Sequence, residues 1–200
     1  MKVKKKKYKE ILSYYPEENW DLIAHCKQVK KLAIQLFEKT YSLHKLGKKE
    51  KKYLWYASLL HDIGYIVNGY SHNKHSCKFI LNSPLLSCAK KKRKIIACIA
   101  RYHRGPSPKE SHKIFGKLNK EKKRIVLILS ALLRIADGLD YTHQNSVKSL
   151  NVKIEKDKVT IEIITDKDIV PQIDMNRAKK KSNLLATVFH LQEITFCLKD

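Results

Sequence analysis

Five stretches of this chain carry apolar residues at helical spacing, and in each the apolar face is interrupted or bordered by a histidine or an aspartate. The first is predicted from Asn19, a good N-cap, to about Thr40, and lines up Leu22, Cys26, Val29, Ala33, Leu36 and Phe37 with His25 one turn before Val29. The second, about Lys48 to Leu60, turns Leu54, Ala57 and Leu60 inward and ends at His61-Asp62-Ile63-Gly64, where Gly64 is a stop signal. After a loop between Asn68 and His72, a short third helix passes through His75, Phe79 and Ile80 to the breaker Ser83-Pro84. A fourth, roughly Ala89 to His103, places Ile96, Ile99 and His103 on one face. The fifth, about Lys120 to Leu139, is dense with Val126, Leu129, Leu132, Leu133 and Ala136, and carries Asp137 one turn after Leu133. It reads as a central, largely buried helix. A bundle of such helices gathers inward side chains from separate elements at one place.

Burying imidazoles and carboxylates without partners is costly. The set His25, His61, Asp62, His75, His103 and Asp137 therefore requires either bound metal or a closed hydrogen-bond network. His61-Asp62 is its most informative element. An imidazole supplies a nitrogen ligand and the adjacent carboxylate an oxygen able to bridge two ions, which suits one or two divalent cations among Mn, Fe, Ni, Co, Zn and Mg. Arg134 lies one turn before Asp137, Arg101 and Arg104 flank His103, and Lys74 precedes His75, so all four are candidates for substrate phosphates. Pairing with Asp137, Asp140 or helix ends is their competing use. His72 reads as an orienter of His75 or as an alternative ligand, and Asp140 as a residue that orients a ligand. His44, His112 and His190 read as surface residues near helix ends, and His143 as a capping or supporting group.

The character changes after about Ser146. Residues Val147 to Glu155 and Lys158 to Thr165 alternate partially with period two around a short charged turn, the pattern of a β-hairpin. A basic helix from about Asp174 to His190 and a strand from Glu193 to Lys199 complete a small ββαβ unit. The predicted organisation is mainly α: a basic segment over 1–18, a metal-binding helical domain over 19–145, and a small α/β unit over 146–200.

Charge narrows the ligands. The 42 Lys and Arg against 19 Asp and Glu leave a formal +23, which favours polyanionic partners. Most of the excess is lysine, which A-rich coding sequence would also produce, so charge alone names no ligand. The lysine run Lys4 to Lys7 reads as a solvated terminus or as a nucleic-acid contact. The five cysteines are scattered without a Cys-x-x-Cys pair and read as small buried hydrophobes in a reducing compartment. With neither a signal peptide nor a membrane span in sight, a cytoplasmic protein is expected.

The order His25, His61-Asp62, His75, His103, Asp137 resembles the HD-domain phosphohydrolase superfamily in its six-ligand form. The runs His61 to Tyr65, Ser71 to Ser76, Ala100 to Arg104 and Leu133 to Asp140 are similar to the C-terminal HD region of exopolyphosphatase/guanosine-pentaphosphate phosphohydrolase (Ppx/GppA) proteins, over roughly Asn19 to His143. The resemblance implies an HD fold, metal ligation and affinity for phosphate-rich ligands. It implies that His25, His61 and Asp137 hold one ion and His75 and His103 another, with Asp62 bridging and, with His61, serving catalysis through an activated water. In the longer relatives an N-terminal actin-like pair of domains performs the hydrolysis of polyphosphate or pentaphosphate, and a chain of this length is not expected to hold it. Tyr65 and Tyr102 stand where HD-GYP phosphodiesterases have Lys and His, which argues against cyclic-dinucleotide hydrolysis. Two functions follow as expectations: a metal-dependent phosphohydrolase of a phosphate ester, nucleotide or phosphoanhydride, or a non-catalytic module binding polyphosphate, nucleic acid or a protein partner. A homodimer is a further candidate assembly, and a membrane is not an expected partner.

Overall fold

Each expected amphipathic stretch forms a helix in the computed structural model, which describes residues 8–83, 90–166 and 169–199. Cys88, Pro84 and the Lys4 to Lys7 run lie outside the described residues. The helices are α1 (Trp20–Lys39), α2 (Tyr41–His44), α3 (Lys48–Leu60), α4 (His72–Asn82), α5 (Lys90–Arg101) and α6 (Lys120–Gly138). Asn19 occupies the N-cap position of α1 without a side-chain cap, whereas Asn119 caps α6 by accepting from the Lys122 amide at 3.1 Å.

Helix α6 earns its central place through its sequence. Ile125, Val126 and every residue from Ile128 to Gly138 are buried, so it is apolar nearly all round and packs against α1, α3 and α5. On α1 the buried set His25, Val29, Leu32 and Leu36 follows the three-to-four spacing of one helix face, which rests on α3 and α6. His44, expected at the surface, is buried: its Nε2 lies 2.8 Å from the Phe37 carbonyl and its Nδ1 accepts from the Leu46 amide at 2.8 Å. Both ring nitrogens are thus satisfied, and the histidine closes the short α2 turn rather than facing water.

The C-terminal region is the expected ββαβ unit. Strands β1 (Ser149–Glu155) and β2 (Lys158–Ile164) pair antiparallel, and β3 (Glu193–Leu198) joins β2 in parallel, giving the order β1-β2-β3. The crossover holds two helices, α7 (Gln172–Lys181) and α8 (Asn183–Phe189), separated at Ser182 where a single basic helix was expected. The unit rests on the bundle. Gln35 of α1 accepts from the Leu150 amide of β1 at 2.8 Å, and α7 packs along the end of α6. No helix among the described residues is long and apolar enough to cross a membrane.

Candidate metal centre

Two groups of side chains converge where α1, α3, α4, α5 and α6 meet, and they share one carboxylate. His25, His61, Asp62 and Asp137 each offer a ligand atom within 4.8 Å of the others, and so do Asp62, His72 and His103. All six residues are buried. His25 comes from the second turn of α1, His61 and Asp62 from just beyond α3, His72 from the first turn of α4, His103 from just beyond α5, and Asp137 from the last turn of α6.

The imidazoles share one arrangement. The Nδ1 of His25 lies 2.8 Å from Asp140 Oδ2, that of His61 2.9 Å from the Ser58 carbonyl, that of His72 3.0 Å from the Gly69 carbonyl, and that of His103 2.7 Å from the Ala100 carbonyl. In the neutral ring each acceptor favours the proton on Nδ1, which leaves Nε2 as the nitrogen able to ligate. Those four Nε2 atoms face the carboxylates. His25 Nε2 is 3.4 Å from Asp137 Oδ1 and 3.7 Å from Asp62 Oδ2, while His61 Nε2 is 3.6 Å and 3.5 Å from the same two oxygens. On the other side of Asp62, Oδ1 lies 3.1 Å from His72 Nε2 and 3.3 Å from His103 Nε2. Ligand atoms at about 2.1 Å from one cation are separated from each other by roughly 3.0–3.4 Å. The observed spacings are close to that. His25 Nε2, His61 Nε2 and Asp62 Oδ1 are also buried without a hydrogen-bond partner, a cost that a cation between them would remove.

The electrostatics follow from the crowding. Burial pushes the His25 ring down, but the carboxylates of Asp137 and Asp140 beside it outweigh that and raise the ring to about 10. Burial lowers His103 to about 3, the nearby Asp62 only partly opposing it. Burial also disfavours charge on Asp62, yet His61, His72 and His103 together hold its carboxyl below the usual range. Asp137 is likewise depressed against its burial, first by Lys181 and then by His25 and His61.

His75 belongs to neither group. It is half-buried and lines a surface groove with Tyr14, Val67, Lys78, Phe79, Asn82 and Ser83, while His72, one turn earlier, faces the site. The cause is local. Ser71 adopts a left-handed conformation (φ 59°) and starts α4, so the inward face runs through His72, Ser76 and Ile80 at four-residue steps. The turn Ile63–Ile66 lies on that face: the Gly64 amide donates to Ser76 Oγ at 2.9 Å, and a Cβ on Gly64 would fall 2.0 Å from the His72 carbonyl. Glycine at 64 is therefore what lets the His61-Asp62 corner meet the start of α4. Four-residue steps back from Ile80 lead to His72 and a four-residue step back from Phe79 leads to His75, so spacing alone leaves both open.

The four candidate phosphate ligands separate. Arg134 is buried and donates through Nε to the Tyr102 carbonyl at 2.7 Å and through Nη2 to the Gly105 carbonyl, so it fixes the loop after His103. Arg101 lies with its guanidinium carbon 5.8 Å from the Tyr102 ring centroid, and its Nη1 is buried without a partner. Arg104 is exposed, with Nη1 3.3 Å from His72 Nδ1, and Lys74 is exposed at the start of α4. Asp140 both braces His25 and accepts from the Asn145 amide at 2.9 Å. His143, read as a capping or supporting group, stacks on His25 with centroids 3.9 Å apart. Two contacts were not anticipated: Tyr65 stacks on His72 at 3.9 Å, and Lys181 pairs with Asp137. Arriving from the C-terminal unit, Lys181 carries no local pattern that would mark it.

The family described as Ppx/GppA phosphatase, domain III, matches the chain over residues 21–193. No curated protein matches it.

Proposed function

The chain belongs to the Ppx/GppA phosphatase domain III family, and on that premise we propose that it is a cytoplasmic metal-dependent phosphohydrolase of the HD type, acting on a phosphate ester, nucleotide or phosphoanhydride. The observation that carries the reading is the convergence of four Nε2 atoms, each ring oriented by an acceptor on its Nδ1, upon the oxygens of Asp62 and Asp137. A hydrogen-bond network would not leave His25 Nε2, His61 Nε2 and Asp62 Oδ1 without partners at its centre.

In this reading His25, His61 and Asp137 would hold one divalent cation and His72 and His103 a second, with Asp62 offering an oxygen to each. Such cations, when bound, lower the pKa of a ligated water and offset charge on a phosphoryl group. The protein's own contribution is positional. Asp140 and the carbonyls of Ser58, Gly69 and Ala100 fix the ring orientations, and Asp62 presents one oxygen to each group. Arg104, beside His72 and open to solvent, would meet substrate phosphate. Donors of nitrogen and carboxylate oxygen suit Mn, Fe, Co, Ni or Zn, and Mg less well.

Purified protein analysed for bound transition metal and assayed on generic phosphomonoesters and phosphodiesters tests the proposal. Metal-dependent turnover that Asp62→Ala abolishes is expected. Turnover that persists in Asp62→Ala would remove this mechanism, and salt-sensitive polyanion binding without turnover under any of these metals would favour a binding module.

A further inference from the structure

The contact of Lys181 with Asp137 is not explained by ligation alone. Asp137 turns Oδ1 toward the Nε2 atoms of His25 and His61, and its other oxygen, Oδ2, takes the Lys181 ammonium. The ammonium therefore sits beside the first ligand group without occupying the oxygen that group uses. An ammonium has three donors. Asp137 is its one acceptor among the described residues, and the side chain keeps 24% of its exposure. Its remaining N–H groups are thus free to meet a ligand entering from solvent.

Lys181 is held there by the packing of α7 on α6. A Cβ on Gly138 would lie 2.7 Å from Ala178 Cα, so the two helices touch backbone to backbone next to Asp137. Asp174 accepts from the Thr142 amide at 2.8 Å and from the Thr142 hydroxyl at 3.0 Å, and Arg177 lies 4.1 Å from the Tyr141 ring centroid while donating to its hydroxyl at 3.0 Å. Three contacts along one helix fix its axis and its rotation. At the opposite end of the site, Arg104 stands against His72. A cation thus adjoins each ligand group, with Asp62 between them.

We propose that Lys181 binds the phosphoryl group of the substrate, so that the ββαβ unit completes the site by supplying one of its two phosphate-binding cations. The inference rests on the metal-dependent reading above and deepens it. A phosphoryl oxygen lodged between the first ligand group and Lys181 exchanges its water for a charge-assisted hydrogen bond, and another oxygen of the same group or of a neighbouring phosphate meets Arg104.

The test uses orthophosphate as the probe, with calorimetric titration of the full chain loaded with Mn²⁺, in the wild type, Lys181→Gln and Lys181→Arg. Bound manganese is counted in each. The expected result is an unchanged manganese content, phosphate affinity about tenfold weaker in Lys181→Gln, the magnitude of a lost hydrogen bond to a charged group, and most of it regained in Lys181→Arg. With a turned-over phosphomonoester, the loss falls on KM more than on kcat. Equal phosphate affinity in wild type and Lys181→Gln overturns the inference while leaving the metal reading intact. Loss of manganese from Lys181→Gln overturns it too, since Lys181 would then serve only to hold Asp137. A wild type that takes up no manganese brings down the metal reading, and this inference with it.

Discussion

The two ligand groups are equally buried but differ in what holds them. His25 lies in the second turn of α1, and His61 and Asp137 stand at the ends of α3 and α6 beside the core residues Leu60 and Ala136; their group has four candidate ligands. His72 and His103 sit at a helix start and just past a helix end, beside the exposed Tyr65 and Arg104, and their group has three. The packing of α1, α3 and α6 on one another preorganises the first group, whereas the second depends on the turns at Ser71 and after Arg101. The first group should therefore bind its cation more tightly and keep it longer, and the second should answer more readily to substrate.

The variants that break this contrast can be ordered by size. Asp62→Ala removes the oxygen on which both groups depend and should lower turnover by roughly a thousandfold or more, about 4 kcal/mol of transition-state stabilisation, read in steady-state kinetics at saturating metal. Asp140→Ala frees the His25 ring and should weaken metal at the first group by about 10- to 100-fold while sparing the second; chelator competition followed by metal analysis separates the two. His72→Ala should release one of two bound ions and leave the other in place. His75→Ala should change neither metal content nor turnover by more than about twofold, because the side chain lines a groove outside both groups. Equal losses from His72→Ala and His75→Ala would dissolve the assignment of the second group.

Protons sharpen the same contrast. Carboxylates hold His25 protonated up to about pH 10, and a ligand must be deprotonated, so cation uptake at the first group should release protons at pH 7 and tighten by about tenfold per pH unit for each proton lost. The sign for stability runs the other way. A raised pKa on His25 contributes stability to the chelator-treated protein that is fully present below the unfolded value of about 6.5 and is lost as pH rises toward 10. Melting curves over that window should fall for chelated protein. His103, held down to about 3, stays neutral throughout, so it adds no proton release to uptake at the second group near pH 7.

The parts of this molecule legible in its sequence are those set by short-range periodicity. Helix α6 could be drawn from Val126, Leu129, Leu133 and Ala136 because a helix buried on all sides must be apolar on all sides, and Asp137 stands out against that background. His25 and His61-Asp62 were visible for the same reason. The rest depended on facts that spacing does not carry. His72 and His75 are both one or two turns from Ile80, and the choice between them is made by a left-handed residue at Ser71 and by the close approach at Gly64. His44 looks like a polar surface residue until the chain folds the Phe37 carbonyl and the Leu46 amide onto its two nitrogens. Lys181 is one of many lysines in a basic stretch, and only the packing of α7 on α6, through Ala178, Asp174 and Arg177, sets it beside Asp137.

The central claim is that Asp62 joins two groups of ligands around separate cations, and crystals grown with Mn²⁺ and measured for anomalous scattering test it most directly. Two peaks are predicted, one bounded by His25, His61, Asp62 and Asp137 and the other by Asp62, His72 and His103. No peak at either place, or a peak held by His75 in place of His72, would contradict the account.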